Sequence, residues 1–139
     1  MQASQDRSTK LYTPTLLALS VELAAYPHDP NAALQGRAKS RTCGSEIVLS
    51  ASNSELGQLG LQVTACAVGQ ASAALFAANA SNQTATKLEQ ELDEMTRWLS
   101  GEGAAPDLPR IGLLEPARDY PGRHEAILLP WRAAFDALA

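Results

Sequence analysis

Ile47-Val48-Leu49-Ser50-Ala51-Ser52-Asn53-Ser54-Glu55 and, shortly after it, Leu59-Gly60-Leu61-Gln62-Val63-Thr64-Ala65 decide the fold. In the first stretch Ile47, Leu49 and Ala51 alternate with Val48, Ser50 and Ser52; in the second Leu59, Leu61, Val63 and Ala65 alternate with Gly60, Gln62 and Thr64. A period of two puts alternate side chains on opposite faces, so both stretches read as strands with one face buried. Asn53-Ser54-Glu55 supplies turn residues between them, and no crossover helix intervenes. The pair is therefore expected as an antiparallel hairpin. A short strand near Gln35 to Ser40 adds an edge, for about three strands in all.

Helical spacing governs the rest. Thr13 suits a helix cap with Pro14 at the first position, and Leu16, Leu19 and Leu23 share the face that follows. Tyr26-Pro27-His28-Asp29-Pro30-Asn31 breaks that helix. After Cys66, Val68, Ala71, Ser72 and Leu75 form one stripe. Thr86-Lys87-Leu88-Glu89 reads as a capping box for a helix carrying Leu88, Leu92, Met95 and Leu99, which Gly101 stops. Residues 110–119 suit a short helix. Ile127, Trp131, Ala134, Phe135 and Leu138 mark a final amphipathic helix, which Pro130 either shortens or kinks. Strands followed by helices make an α+β layout, a small antiparallel sheet with helices packed on one face. Residues 10–139 form one domain behind a polar tail, residues 1–9, expected to be disordered.

Composition excludes several classes of function. The 139 residues carry a formal net charge of −4, and Lys and Arg do not cluster, which argues against nucleic acid and against a charged membrane surface as partners. No apolar run approaches the ~20 residues of a spanning helix. Two cysteines make no secreted disulfide framework, so reduced thiols in the cytoplasm are the expectation. No phosphate-cradling glycine loop and no Ser/His/Asp arrangement is evident, so an enzyme with its own turnover is not expected.

The remaining chemistry sits in three segments: Arg41-Thr42-Cys43-Gly44-Ser45-Glu46-Ile47, Ala65-Cys66-Ala67-Val68-Gly69-Gln70-Ala71, and Gly122-Arg123-His124-Glu125-Ala126. Thiolate and imidazole are ligands suited to zinc or iron. Cys43 begins one strand; Cys66 ends the other and opens a helix, where a thiol meets the positive end of the dipole and free amide protons. A hairpin turning at residues 53–55 puts both sulfurs at the end of the sheet away from the turn. His124 opens the last helix and can close over that rim. Each residue also has a plainer role: free cysteines are commonly packing residues, His124 suits a helix end, and Glu125 suits any first helical turn.

These segments, in this order, resemble the iron–sulfur cluster assembly scaffold family of the IscU/SufU/NifU N-terminal type, across residues 10–138. Leu11-Tyr12 with the following helix looks like the family's opening. Cys43-Gly44-Ser45-Glu46-Ile47 looks like its Cys-Gly-Asp-Glu-Ile motif, the helix start at Cys66 like its Gly-Cys-Ala-Ile-Ser, and Tyr120-Pro121-Gly122-Arg123-His124-Glu125-Ala126 like the segment carrying its last cysteine. The resemblance implies an α+β scaffold that holds a transient iron–sulfur cluster, iron or zinc. It also implies a cysteine desulfurase as sulfur donor, acceptor proteins for the cluster, and a monomer or weak homo-oligomer. It makes Cys43, Cys66 and His124 cluster-binding residues; Glu125 joins them as a metal ligand on the chemistry of its carboxylate, not on the resemblance. Two departures stand out: Ser45 where the family has aspartate, and Glu125 where it has its last cysteine. A carboxylate ligates zinc or iron but cannot become a persulfide, and sulfide-bridged clusters prefer thiolates. Two other readings follow from those departures. One is a zinc-binding sulfur-transfer partner or regulator of a desulfurase; the other is a metal-free interaction module that has lost the site.

Overall fold

The computed structural model describes residues 11–41, 44–80 and 83–139. The expected disordered tail, residues 1–9, lies outside them. Three strands, β1 (Leu34–Lys39), β2 (Glu46–Ala51) and β3 (Gly60–Thr64), form one antiparallel sheet in chain order. The register pairs Gly36 with Leu49 and Ala38 with Ile47, then Ile47 with Val63 and Leu49 with Leu61. The apolar alternation thus stacks on one face. The other face carries Gln35, Arg37, Lys39, Gln62 and Thr64, all exposed. The turn after β2 is longer than the three residues expected. Asn53 Oδ1 accepts from the amides of Glu55 (2.9 Å) and Gly57 (3.1 Å), and Ser52 N donates to Gly57 O. Leu56 and Gln58 take positive φ there, and Leu56 is buried.

Among the described residues are four α-helices: α1 (Pro14–Val21), α2 (Ala67–Ala78), α3 (Ala85–Leu99) and α4 (His124–Leu138); α4 lies on β1 and β2 and α2 meets β3, while α1 packs on α2 and α3 on α4. Thr13 caps α1 through Leu16 N at 3.1 Å, and Leu16 and Leu19 are buried while Leu17 and Val21 face outward. The cap of α3 is Thr84, whose Oγ1 accepts from Lys87 N at 3.2 Å, two residues before the capping box expected at Thr86. The true cap has no acidic or amide side chain at its third position, which is why the Thr86–Glu89 spacing attracted the reading.

α2 is the central helix. Nine of the ten positions from Val68 to Ala77 are buried, all but Gln70. Its small residues let α4 close in: a Cβ on Gly69 would lie 3.3 Å from the Cβ of Ala126, and Ser72 Oγ donates to Ile127 O at 2.6 Å. α4 also lies across β1, where a Cβ on Gly36 would fall 2.0 Å from Ala133 O. That face of α4 is Ala133 and Ala137, so Phe135, expected inside, is exposed. Trp131 is fully buried and meets Phe76 edge-on at 5.2 Å. α4 runs from its first turn through Pro130 to Leu138.

Candidate functional site

The site begins where the sheet ends. Lys39 pairs with Glu46, and one step beyond it Ser40 N donates to Ser45 O at 2.8 Å, which closes the β1–β2 hairpin around residues 41–44. Gly44 takes φ +70, with open space around an added Cβ, so the backbone angle and not crowding calls for glycine. Across β2 and β3, Glu46 faces Thr64. Two residues further along each strand are Gly44 and Cys66, and both line one pocket of about 270 Å³ with Ser45, Thr64, Ala65 and Arg123.

Cys66 is the N-cap of α2, in extended conformation, and its side chain does not cap the helix. It is half-buried and free of disulfide. Gln70 holds the corner: its amide N donates to Cys66 O at 2.9 Å and its Nε2 to Ala65 O at 3.0 Å. The first turn of α2 has no acidic residue.

The third segment arrives through two 3-10 stretches, Ile111–Asp119 and Pro121–Arg123, which lead directly into α4. Its three residues turn to different neighbours. Arg123 lines the Cys66 pocket, and its side chain makes no hydrogen bond or ion pair with any described residue. His124 Nε2 lies 3.2 Å from Ala117 O and 3.1 Å from Arg118 O. Two carbonyl acceptors at one ring nitrogen place its N–H there, which in the neutral ring leaves the lone pair on Nδ1. Glu125 Oε1 accepts from Arg41 N at 3.3 Å and lies 4.0 Å from Arg132 Nη1. The carboxylate therefore rests on the hairpin loop that contains Cys43.

Of the four expected ligands, Cys66 lies in the pocket, Glu125 touches the loop beside it, and the imidazole of His124 faces the carbonyls of residues 117 and 118. Cys43 lies outside the described residues; its chain neighbour Gly44 lines the pocket. Among the described residues no three His, Cys, Asp or Glu side chains converge as a ready-made metal cage.

Two features escape the sequence. Arg123 is one; a cation inside the third segment was visible, but nothing marked which pocket it enters. The other is a buried polar group, where Glu91 accepts from Trp131 Nε1 at 3.1 Å and from Gln83 Nε2 at 3.3 and 3.4 Å. On the far side of the third segment an open cleft of about 1010 Å³ lies between the end of α3 and residues 112–120. Its Arg118 is committed to structure: Nε donates to Trp98 O at 2.8 Å and the guanidinium sits 5.3 Å from the Trp98 ring centroid.

No protein-family model and no curated protein matches the chain. Solved structures do. A nitrogen-fixing NifU-like protein (N-terminal) from Brucella abortus is 28% identical, with a TM-score of 0.79 over 95% of this chain and 94% of that one. A putative iron–sulfur cluster assembly scaffold protein for the SUF system from Fervidobacterium islandicum AW-1 shares the fold at 19% identity, with a TM-score of 0.77 over 95% of this chain and 99% of that one. In fold and chain order, this protein is similar to the NifU-like N-terminal structure and to the SUF-system scaffold structure.

Proposed function

We propose that this protein works in iron–sulfur cluster assembly as a scaffold, holding iron and sulfide as transient cargo. Cys43 and Cys66 supply the thiolates, and His124 and Glu125 complete the donor set. A cysteine desulfurase supplies the sulfur, and acceptor proteins take the product. The role is to bind and hand on, without turnover of its own. One observation carries this reading: the β2–β3 register sets Gly44 and Ser45, next to Cys43, against Cys66 in one open pocket. The contact of Glu125 with Arg41 N brings a carboxylate to the same loop. The likeness to the NifU-like and SUF-system proteins supports it further.

The donor set suits iron, with a harder character than an all-thiolate site. Each chain has two thiols, so a sulfide-bridged cluster here draws on imidazole or carboxylate as well. Anaerobic addition of ferrous iron and sulfide to the purified protein should produce visible charge-transfer absorption, and Cys66→Ser should abolish it. A protein that stays colourless overturns the proposal. Tightly held zinc with no colour would move the assignment to a zinc-binding partner of a desulfurase.

A further inference from the structure

We infer that Arg123 sets the charge of what reaches Cys66, making this pocket a receptor for an anionic sulfur reactant. The inference deepens the reading of Cys66 as a sulfur-handling residue and rests on it.

The chain as a whole repels anions, with 15 acidic against 11 basic residues. The pocket is a local exception. It is lined by Gly44, Ser45, Thr64, Ala65, Cys66 and Arg123, so among the described residues its sole charged side chain is a cation. The nearby carboxylates are engaged elsewhere: Glu46 lies 3.7 Å from Arg37, and Glu125 contacts Arg41 N and Arg132. Five other arginines among the described residues are taken up: Arg37 by Glu46, Arg97 by Asp93, Arg110 by Glu22, Arg132 by Glu125 and Arg118 by the Trp98 carbonyl. Arg123 keeps its charge unspent among the described residues. α2 adds amide protons without an intrahelical acceptor and has no acidic residue in its first turn. A guanidinium is always charged and tolerates partial burial, so this sign is fixed at any working pH.

Hydrosulfide and the terminal sulfur of a persulfide share the relevant chemistry, one negative charge on sulfur. In the persulfide case the Cys66 sulfur forms a bond to the terminal sulfur and the donor's own S–S bond breaks. The donor leaves as a thiolate, and no outside oxidant is needed. Bringing two sulfur anions to bonding distance is the unfavourable part of that step, and a neighbouring cation offsets it.

The test uses the full chain carrying Cys43→Ser, so that Cys66 is the one thiol left to react. Rates of alkylation by iodoacetate, an anion, and by neutral iodoacetamide are followed by intact mass. Their ratio cancels any change in thiol ionisation. With Arg123→Gln the ratio should fall about fivefold, as expected for one unit charge acting at short range through water; Arg123→Lys should keep it. The parent's ratio should also fall as salt rises from about 0.01 to 1 M, which tests the charge without any substitution at Arg123. Two arms separate the sources. Protection of Cys66 by sodium hydrosulfide marks free sulfide, whereas faster gain of one sulfur from cysteine persulfide in the parent than in Arg123→Gln marks the persulfide. A ratio that moves neither with Arg123→Gln nor with salt overturns the inference. Loss of iron–sulfide colour alone leaves this ratio untouched and bears on the proposed function instead.

Discussion

The body of α4 and its first turn differ in how their side chains are used. In the body the inward-facing groups are absorbed, Phe135 alone of the large apolar ones facing outward: Trp131 packs on Phe76 and donates to Glu91, and Ala133 and Ala137 press on Gly36. In the first turn Arg123, His124 and Glu125 spread toward a pocket, a pair of carbonyls and a loop. The body serves the fold and tolerates little change. The turn serves the rim and should tolerate much, at a cost in chemistry and not in stability.

Breaking the body should cost most. Trp131→Ala leaves a cavity beside Phe76 and takes the indole donor from the buried Glu91 carboxylate, for a loss of about 3–5 kcal/mol in urea unfolding. Gly36→Ala drives a methyl into the Ala133 carbonyl, a backbone atom that cannot swing aside, and should cost about 1–3 kcal/mol by the same measurement. Ser72→Ala removes a buried donor to Ile127 O and should cost about 1 kcal/mol. At the rim, Cys66→Ser and Glu125→Gln should each shift stability by less than about 1 kcal/mol while changing iron uptake. If the rim variants unfold as readily as Trp131→Ala, the contrast between the two regions fails.

The smallest expected effect lies away from both regions. Arg110 Nη1 and Nη2 donate to the Glu22 carboxylate at 2.7 and 3.1 Å, and that hydrogen bond holds the Glu22 carboxyl below its ordinary value. A depressed carboxyl in the folded state adds stability above the ordinary range and loses it as pH falls through the lowered value. Glu22→Gln should therefore flatten the acid side of the stability–pH curve slightly. The effect is small because the pair is exposed and screened by water.

Much of this was legible from sequence. The alternation of Ile47, Leu49 and Ala51 against Leu61 and Val63 fixed a buried sheet face, and the hairpin then forced Gly44 toward Cys66. The ends of elements were harder. Thr84 and Thr86 are equal candidates for a cap until the chain before them is placed, and Asn53 lengthened a turn through bonds to its own backbone. Glu91 reads as a solvent-facing charge on α3; its burial depends on an indole that arrives 40 positions later. The site was legible as three segments, but not in which way each side chain turns. Spacing places His124, Glu125 and Arg123 together, while only packing decides that Arg123 enters the cysteine pocket.

Pro130 gives the two parts of α4 some mechanical independence. Its missing N–H removes the rung that would tie residue 130 to the carbonyl of Ala126. Fraying that starts at His124 meets a gap in the ladder before it reaches Trp131. The entry turn can loosen and reseat while the anchoring indole stays put, and amide protons of residues 124–126 should exchange with solvent well before those of residues 131–137.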